Sequence, residues 1–248
     1  MARIHSYVVR YDSGFAPNPF YGHCTLVTCK PGIRRSAEVG DWVIGSGSNA
    51  HGVGRGGHLV YGMRVTEVMT LDEYALNPRF ESKKPFRNGS RKQSCGDNIY
   101  FRDGPEAAWQ QRDSFHSRED GTLNPQHVQR DTGVNRVLVS NDFVYFGGTG
   151  PKFPLELQDR NGRPLCKSGI GLTCFNDPQL LANLEKWIRS LGVAGYQGPH
   201  SNGSLFADNL TCKKKDLFCS RIMQQKLQLP MCSIRPIFPQ FFKVYMGK

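Results

Sequence analysis

Apolar and polar positions alternate in short bursts along the first 70 residues. Residues 4–10 (IHSYVVR) predict a strand, and 23–31 (HCTLVTCKP) predict a second one ended by Pro31. IRRSAEVG (33–40) suits a short helical turn carrying two arginines, and DWVIG (41–45) suits a buried strand. Residues 45–57 (GSGSNAHGVGRGG) lose all periodicity and predict a loop. Residues 58–70 alternate cleanly and predict the strongest strand of the N-terminal half, followed by a short helix at 71–78 stopped by Pro78.

The pattern then weakens. Residues 80–104 are polar, basic and turn-rich, with a short strand at Asn98–Phe101. A helix is expected at Pro105–Arg112, and the polar run to 133 has no clear period, so 80–133 suits an insertion or flexible arm. Two β-rich runs in 135–148 flank Ser140-Asn141-Asp142 and predict a hairpin or one bulged strand. Residues 177–192 predict a helix. Asp177 caps it, Pro178 starts it and Gly192 ends it, with Leu180, Leu181, Leu184, Trp187, Ile188 and Leu191 on one face. The class is α+β, with a mixed, barrel-like sheet, flanking helices and a long insertion. The expected division is a β-rich base- or nucleotide-binding core over 1–148, with a helical and irregular region over 149–248 packing on it.

Charge sharpens this picture. The 32 Lys and Arg against 21 Asp and Glu leave a net charge of +11, which favours a polyanion as partner. Eight cysteines are scattered without a C-x-x-C pair, and the first residues resemble no signal peptide. Reduced thiols and a cytoplasmic location are the expectation. The longest apolar runs are too short to span a membrane. Residues 45–57 lack G-K-[ST] and precede no clear helix, so no cofactor is expected. Cys212, Cys219, Cys232 and His200 match no standard zinc spacing, and no metal is expected either.

The candidate binding residues follow from chemistry. Asn18 is bracketed by prolines and offers a donor and an acceptor to a base edge. Arg34 and Arg35 suit phosphate or base stacking; Trp42 and Tyr145 offer aromatic faces; Ser46, Ser48 and Asn141 offer polar edges. Lys83, Lys84, Arg87, Arg91 and Lys92 form one basic cluster and Lys213, Lys214 and Lys215 another, both suited to a phosphate backbone. For catalysis the candidates are Asp12, Cys29 and Asp142, with His23, His51, His58 and His200 as possible bases for the thiol. The Phe-rich tail, IRPIFPQFFKVY, is a possible docking surface for a protein partner.

Several of these segments, DSGFAPNPF, CTLVTCKPGIRR, GDWVIGSGS and LVSNDFVYFGG, resemble the second nucleotide modification associated domain family, with a weaker echo in ADNLTCKKKDLFCSRIM. A fainter likeness is to small β-barrels of the PUA and EVE kind. The first resemblance implies a base-modification or defence setting of bacteria or phages. The second implies a barrel that holds a modified base in DNA or RNA against Asn18, Arg34, Trp42, Ser46 and Ser48. A binding module is the leading expectation. The alternative is an enzyme that modifies a nucleotide or nucleobase through Asp12, Cys29 or Asp142.

Overall fold

Each strand divides its side chains between two faces, and those faces define the layers. In β1 (Ile4–Val8), β2 (Cys24–Leu26), β3 (Trp42–Ser46), β4 (Leu59–Arg64) and β5 (Glu67–Met69), alternate residues go to different cores. The same holds in β8 (Val137–Ser140) and β9 (Asp142–Tyr145). Val43, Met63, Leu138, Phe143 and Tyr145 meet in one core with Cys24 and Leu26. Trp42, Ile44 and Val144 meet in a second, with Leu180 and Leu184. Val137 and Val139 meet in a third, with Tyr74, Phe80 and Tyr100. The computed structural model describes residues 1–49 and 54–199, all within one compact unit, Met1–Ala207.

A six-stranded mixed sheet runs β10 (Leu172–Phe175), β1, β3, β4, β9, β11 (Gly195–Tyr196), with β1–β3 and β9–β11 parallel. A three-stranded antiparallel sheet, β2–β8–β5, packs on one face of it through the first core. Helix α5 (Pro178–Ser190) covers the other face, capped at Asp177, whose carboxylate accepts from the amides of Gln179 and Leu180. On the far side of the small sheet lie α2 (Leu71–Leu76) and the 78–133 segment. That segment carries α3 (Arg91–Ser94), the pair β6 (Tyr100–Phe101) and β7 (Gln110–Gln111), and α4 (Pro125–Thr132). Between α2 and α3 a 3₁₀ turn runs Pro78–Lys83. Short α1 (Pro31–Ser36) follows β2.

Four expectations change. The large sheet is open, with β10 and β11 at its edges, and the described residues close no barrel. Residues 58–70 are two strands: the chain crosses between sheets at Val65 and Thr66, whose amides donate to Asp41 and Val139. The 135–148 runs are not a hairpin, because β8 pairs with β2 and β5 while β9 pairs with β4 and β11. The helix expected at Pro105–Arg112 is replaced by a turn and β7. There Gly104 is left-handed and Arg102 lies over the Trp109 ring while gripping Asp72.

Glycines at 45 and 47 in the 45–57 loop serve packing. A Cβ at Gly45 would lie 2.4 Å from the Tyr61 ring, and one at Gly47 would lie 2.2 Å from the Arg55 carbonyl oxygen. Among the described residues no helix is long and apolar enough to cross a membrane.

Candidate active site

The residue just before α1 sits in an uncommon backbone state. Cys29 and Lys30 are both left-handed, at φ 56° and 41°. Two successive non-glycine residues there cost about 1–3 kcal/mol each, so the surroundings must hold them. The Cys29 amide donates to Asp131 Oδ1 at 3.1 Å, and the Lys30 carbonyl accepts from the amides of Ile33 and Arg34 at 3.0 and 3.1 Å. Arg34 is wholly buried. Its guanidinium donates to the carbonyls of Arg136 (2.8 Å), Asp131 (2.9 Å) and Val134, locking α1 to the 131–136 segment.

The partner of this turn comes from 78–133. Asn124 caps α4 by accepting from the amides of Gln126 and His127. The four-residue spacing of His127 and Asp131 puts both on one face of that helix. His127 Nδ1 lies 2.9 Å from the His116 carbonyl, and the two imidazoles are 4.4 Å apart. The Phe15 ring also abuts His116, edge-on at 4.7 Å. Held in this way, His116 donates from Nδ1 to Asp131 Oδ2 at 2.7 Å and turns Nε2 toward Cys29 Sγ at 3.6 Å. Asp131 is fully buried and also accepts from Tyr100 Oη (2.8 Å) and Arg130 Nε (3.0 Å). Cys29 itself is half-buried.

Electrostatics favour the thiolate at Cys29. Burial alone would raise Cys29, but the hydrogen bond and charge of His116 bring it below its ordinary value. Burial alone would lower His116, but hydrogen bonds to Asp131 and Cys29 and both their charges raise it to about 9. Burial would raise Asp131, yet His116 and then Arg130 hold it well below the usual carboxylate range. His127 goes the other way: burial and the charges of His116 and Arg130 lower it to about 4, so it stays neutral. The other buried thiols contrast. Burial pushes Cys24 up to about 12 and raises Cys166. A thiolate–imidazolium pair, oriented by a buried carboxylate, is the arrangement of nucleophilic catalysis.

Of the residues singled out in the sequence, the structure brings Cys29 alone into this centre. The histidine beside it is His116, not one of the expected ones. His23 and His58 lie 3.3 and 3.0 Å from the local carbonyls of Tyr21 and Gly56, and His51 and His200 are outside the described residues. Asp12 is buried and accepts from Tyr145 Oη at 2.5 Å; Asp142 is exposed at the start of β9.

The expected base-binding set is dispersed. Asn18 is buried, donating to the Cys95 carbonyl at 2.8 Å, and Arg34 has no donor directed outward. Trp42 is buried and donates to Glu185 at 3.2 Å. Ser46 is buried within reach of the Tyr7 and Lys167 carbonyls, while Ser48 is half-buried. Arg35 and Asn141 are exposed. The Tyr145 ring is buried and stacked on Tyr196, with centroids 5.5 Å apart.

The basic cluster is also split. Arg91 and Lys92 are exposed, Lys84 pairs with Glu81 at 2.5 Å, and Arg87 pairs with Asp113. Lys83 is wholly buried and cannot track a phosphate backbone. Its ammonium donates to Asn18 Oδ1 (2.6 Å), the Asn18 and His23 carbonyls (3.1 and 3.0 Å) and Thr25 Oγ1 (3.0 Å). Lys213, Lys214 and Lys215 lie outside the described residues, as do Cys212, Cys219 and Cys232. Among the described residues no three His, Cys, Asp or Glu side chains are grouped to hold a metal ion.

His116, Asp131 and Tyr100 were not singled out in the sequence. The signal for Asp131 was present: Asn124-Pro125 is a cap followed by a first-turn proline, and His127 and Asp131 then share a helix face. His116 carried no comparable local signal. No curated protein and no solved structure matches the chain. The model of the family nucleotide modification associated domain 2 matches residues 1–204, and the chain belongs to that family.

Proposed function

We propose that this protein is a thiol-dependent enzyme of nucleotide modification, with Cys29 as nucleophile, His116 as proton carrier and Asp131 as the positioning group. The observation that carries this is the relay Sγ–Nε2 at 3.6 Å and Nδ1–Oδ2 at 2.7 Å, built at a strained turn. The chemistry it supports is acyl transfer or hydrolysis at a carbonyl. The thiolate adds to the carbonyl carbon, the imidazolium Nε2–H protonates the leaving group, and a thioester on Cys29 results. Neutral His116 then takes a proton from water or an amine acceptor as that nucleophile attacks the thioester and releases Cys29. Asp131 holds the imidazole tautomer and stabilises its charge. The Cys29 amide is already bound to Asp131, so it does not serve the oxyanion. Incubation of the full chain with acyl esters and amides of nucleotides should give an acyl adduct on Cys29 by peptide mass, absent in Cys29→Ala. Neither adduct nor turnover across esters, amides and thioesters would contradict the proposal.

A second reading, recognition of a base, is supported by a separate surface. Phe20, Tyr21, Lys92, Asn141, Phe143 and Tyr196 line a cleft of about 450 Å³. Tyr21 and Tyr196 are partly exposed, and Lys92 Nζ lies 6.0 Å from the ring centroids of both Phe20 and Tyr196. Aromatic faces beside a cation suit a stacked base. Tyr196→Ala should weaken oligonucleotide or nucleotide binding, measured by fluorescence anisotropy; unchanged affinity removes this reading.

A further inference from the structure

The charge around Cys29 is not balanced. Asp131 is already met by His116 and Arg130, at 2.7 and 3.0 Å. Beyond these stand two more cations. Lys30, next to Cys29 in the chain, is half-buried with Nζ 4.7 Å from the centre of the Tyr7 ring. Its ammonium has no hydrogen bond and no carboxylate partner among the described residues. Arg10, two residues beyond β1, is exposed and likewise forms no ion pair among the described residues. Burial lowers the Lys30 pKa, the Cys29 thiolate raises it, and the charges of Arg10 and Arg130 lower it further.

A cation partly withdrawn from water with no hydrogen-bond acceptor is costly, and a ring face 4.7 Å away offsets only part of that. The contrast with Lys83 is direct: that buried ammonium has four oxygen acceptors, whereas Lys30 has none among the described residues. An incoming anion would complete Lys30. An ammonium is a point charge suited to a phosphate.

We propose that Lys30 forms an anion site beside Cys29, which holds the phosphate of the substrate and makes that substrate a nucleotide rather than a free base or nucleoside. The inference rests on Cys29 as the reacting thiol. It adds the substrate's charge and the point at which that charge docks.

The test alkylates the full chain with iodoacetate and with iodoacetamide and reads the Cys29 peptide by mass. The ratio of the two rates cancels the thiolate fraction and reports local charge alone. At Cys29 that ratio should stand several-fold above the ratio for free cysteine. Lys30→Met should lower it several-fold toward the free-cysteine ratio, and Lys30→Arg should keep it. Inorganic phosphate and a nucleoside 5′-monophosphate should each slow labelling in the wild type and not in Lys30→Met. Protection by a single-stranded oligonucleotide as well would place the phosphate in a polymer; protection by the mononucleotide alone would make it a free nucleotide. Rapid iodoacetamide labelling with a free-cysteine ratio and no protection by any of the three would overturn the anion site while leaving the thiol reading intact. Labelling by iodoacetamide no faster than an ordinary thiol, with phosphate protection retained, would overturn the thiol reading and leave the anion site standing.

Discussion

Asp97 and Asp131 are both wholly buried carboxylates, and each accepts from a tyrosine hydroxyl at 2.8 Å, Tyr74 and Tyr100 respectively. Asp97 also accepts from Thr25 Oγ1 at 2.6 Å and feels the charge of Lys83. Burial raises Asp97 and lowers Lys83 to about 8, and every polar atom named in that cluster has a partner within it. Asp131 differs in what lies beyond it. Its histidine passes the interaction on to a thiol that is only half-buried, with Lys30 and Arg130 alongside. Buried polarity marks both clusters. A thiol on a residue only half-buried, with charge arranged around it, marks one.

That comparison can be broken most decisively at the two centres themselves. Cys29→Ala should abolish labelling and adduct formation at position 29 while changing stability by no more than about 2 kcal/mol, since the Asp131 contacts to the Cys29 amide and His116 remain. Lys83→Met should do the reverse. Leaving Asp97 buried without its cation costs about 3–5 kcal/mol, roughly 6–20 °C in Tm for a chain of this size. The folded molecules should still label at Cys29 at the wild-type rate. Unchanged melting in Lys83→Met would show that its cluster is not what holds the 78–133 segment.

A smaller effect sharpens the site. In His116→Gln the thiol loses its hydrogen bond and its cation, and each unit of pKa rise slows labelling at pH 7 by about tenfold. Smaller still, His127→Phe keeps a ring against His116 and loses one hydrogen bond, worth about 1 kcal/mol. Labelling should then change by no more than about fivefold.

The pH dependence of stability follows the same split. His116, raised to about 9 from 6.5, contributes stability below pH 6.5 and loses it as pH rises through about 9. Cys29, lowered from 9.0, contributes above that value and loses its contribution as pH falls. Below 9.0 the two act in opposite directions, the His116 contribution falling as pH rises from 6.5 to about 9 and that of Cys29 growing toward 9.0. Lys83, lowered to about 8 from 10.5, instead makes stability rise with pH between about 8 and 10.5. Denaturant midpoints measured against pH in wild type and His116→Gln isolate the first pattern.

The sequence made the strands legible wherever one face met a core. β1, β3, β9 and α5 follow from alternation and capping alone, because Val43 and Ile44, or Phe143 and Val144, announce opposite faces. Which sheet a strand joins was not legible. Val65–Thr66 and Asn141 are crossings set by hydrogen bonds to distant residues, including the Asn141 amide to Thr66 Oγ1 at 3.2 Å. Cys29 was legible as a thiol between polar neighbours. Its base was not, because His116 sits 87 positions away in a polar stretch with no period. That stretch folds around buried polar anchors, Asp131, Asp97 and Lys83, rather than around an apolar stripe.

The central claim is tested most directly by the pH–rate profile of Cys29 alkylation with iodoacetamide, followed on the Cys29 peptide in wild type and His116→Gln. The account predicts a wild-type thiol that titrates below 9.0 and moves upward in the variant. A wild-type Cys29 that titrates at or above that value, with a profile unchanged in His116→Gln, would contradict it.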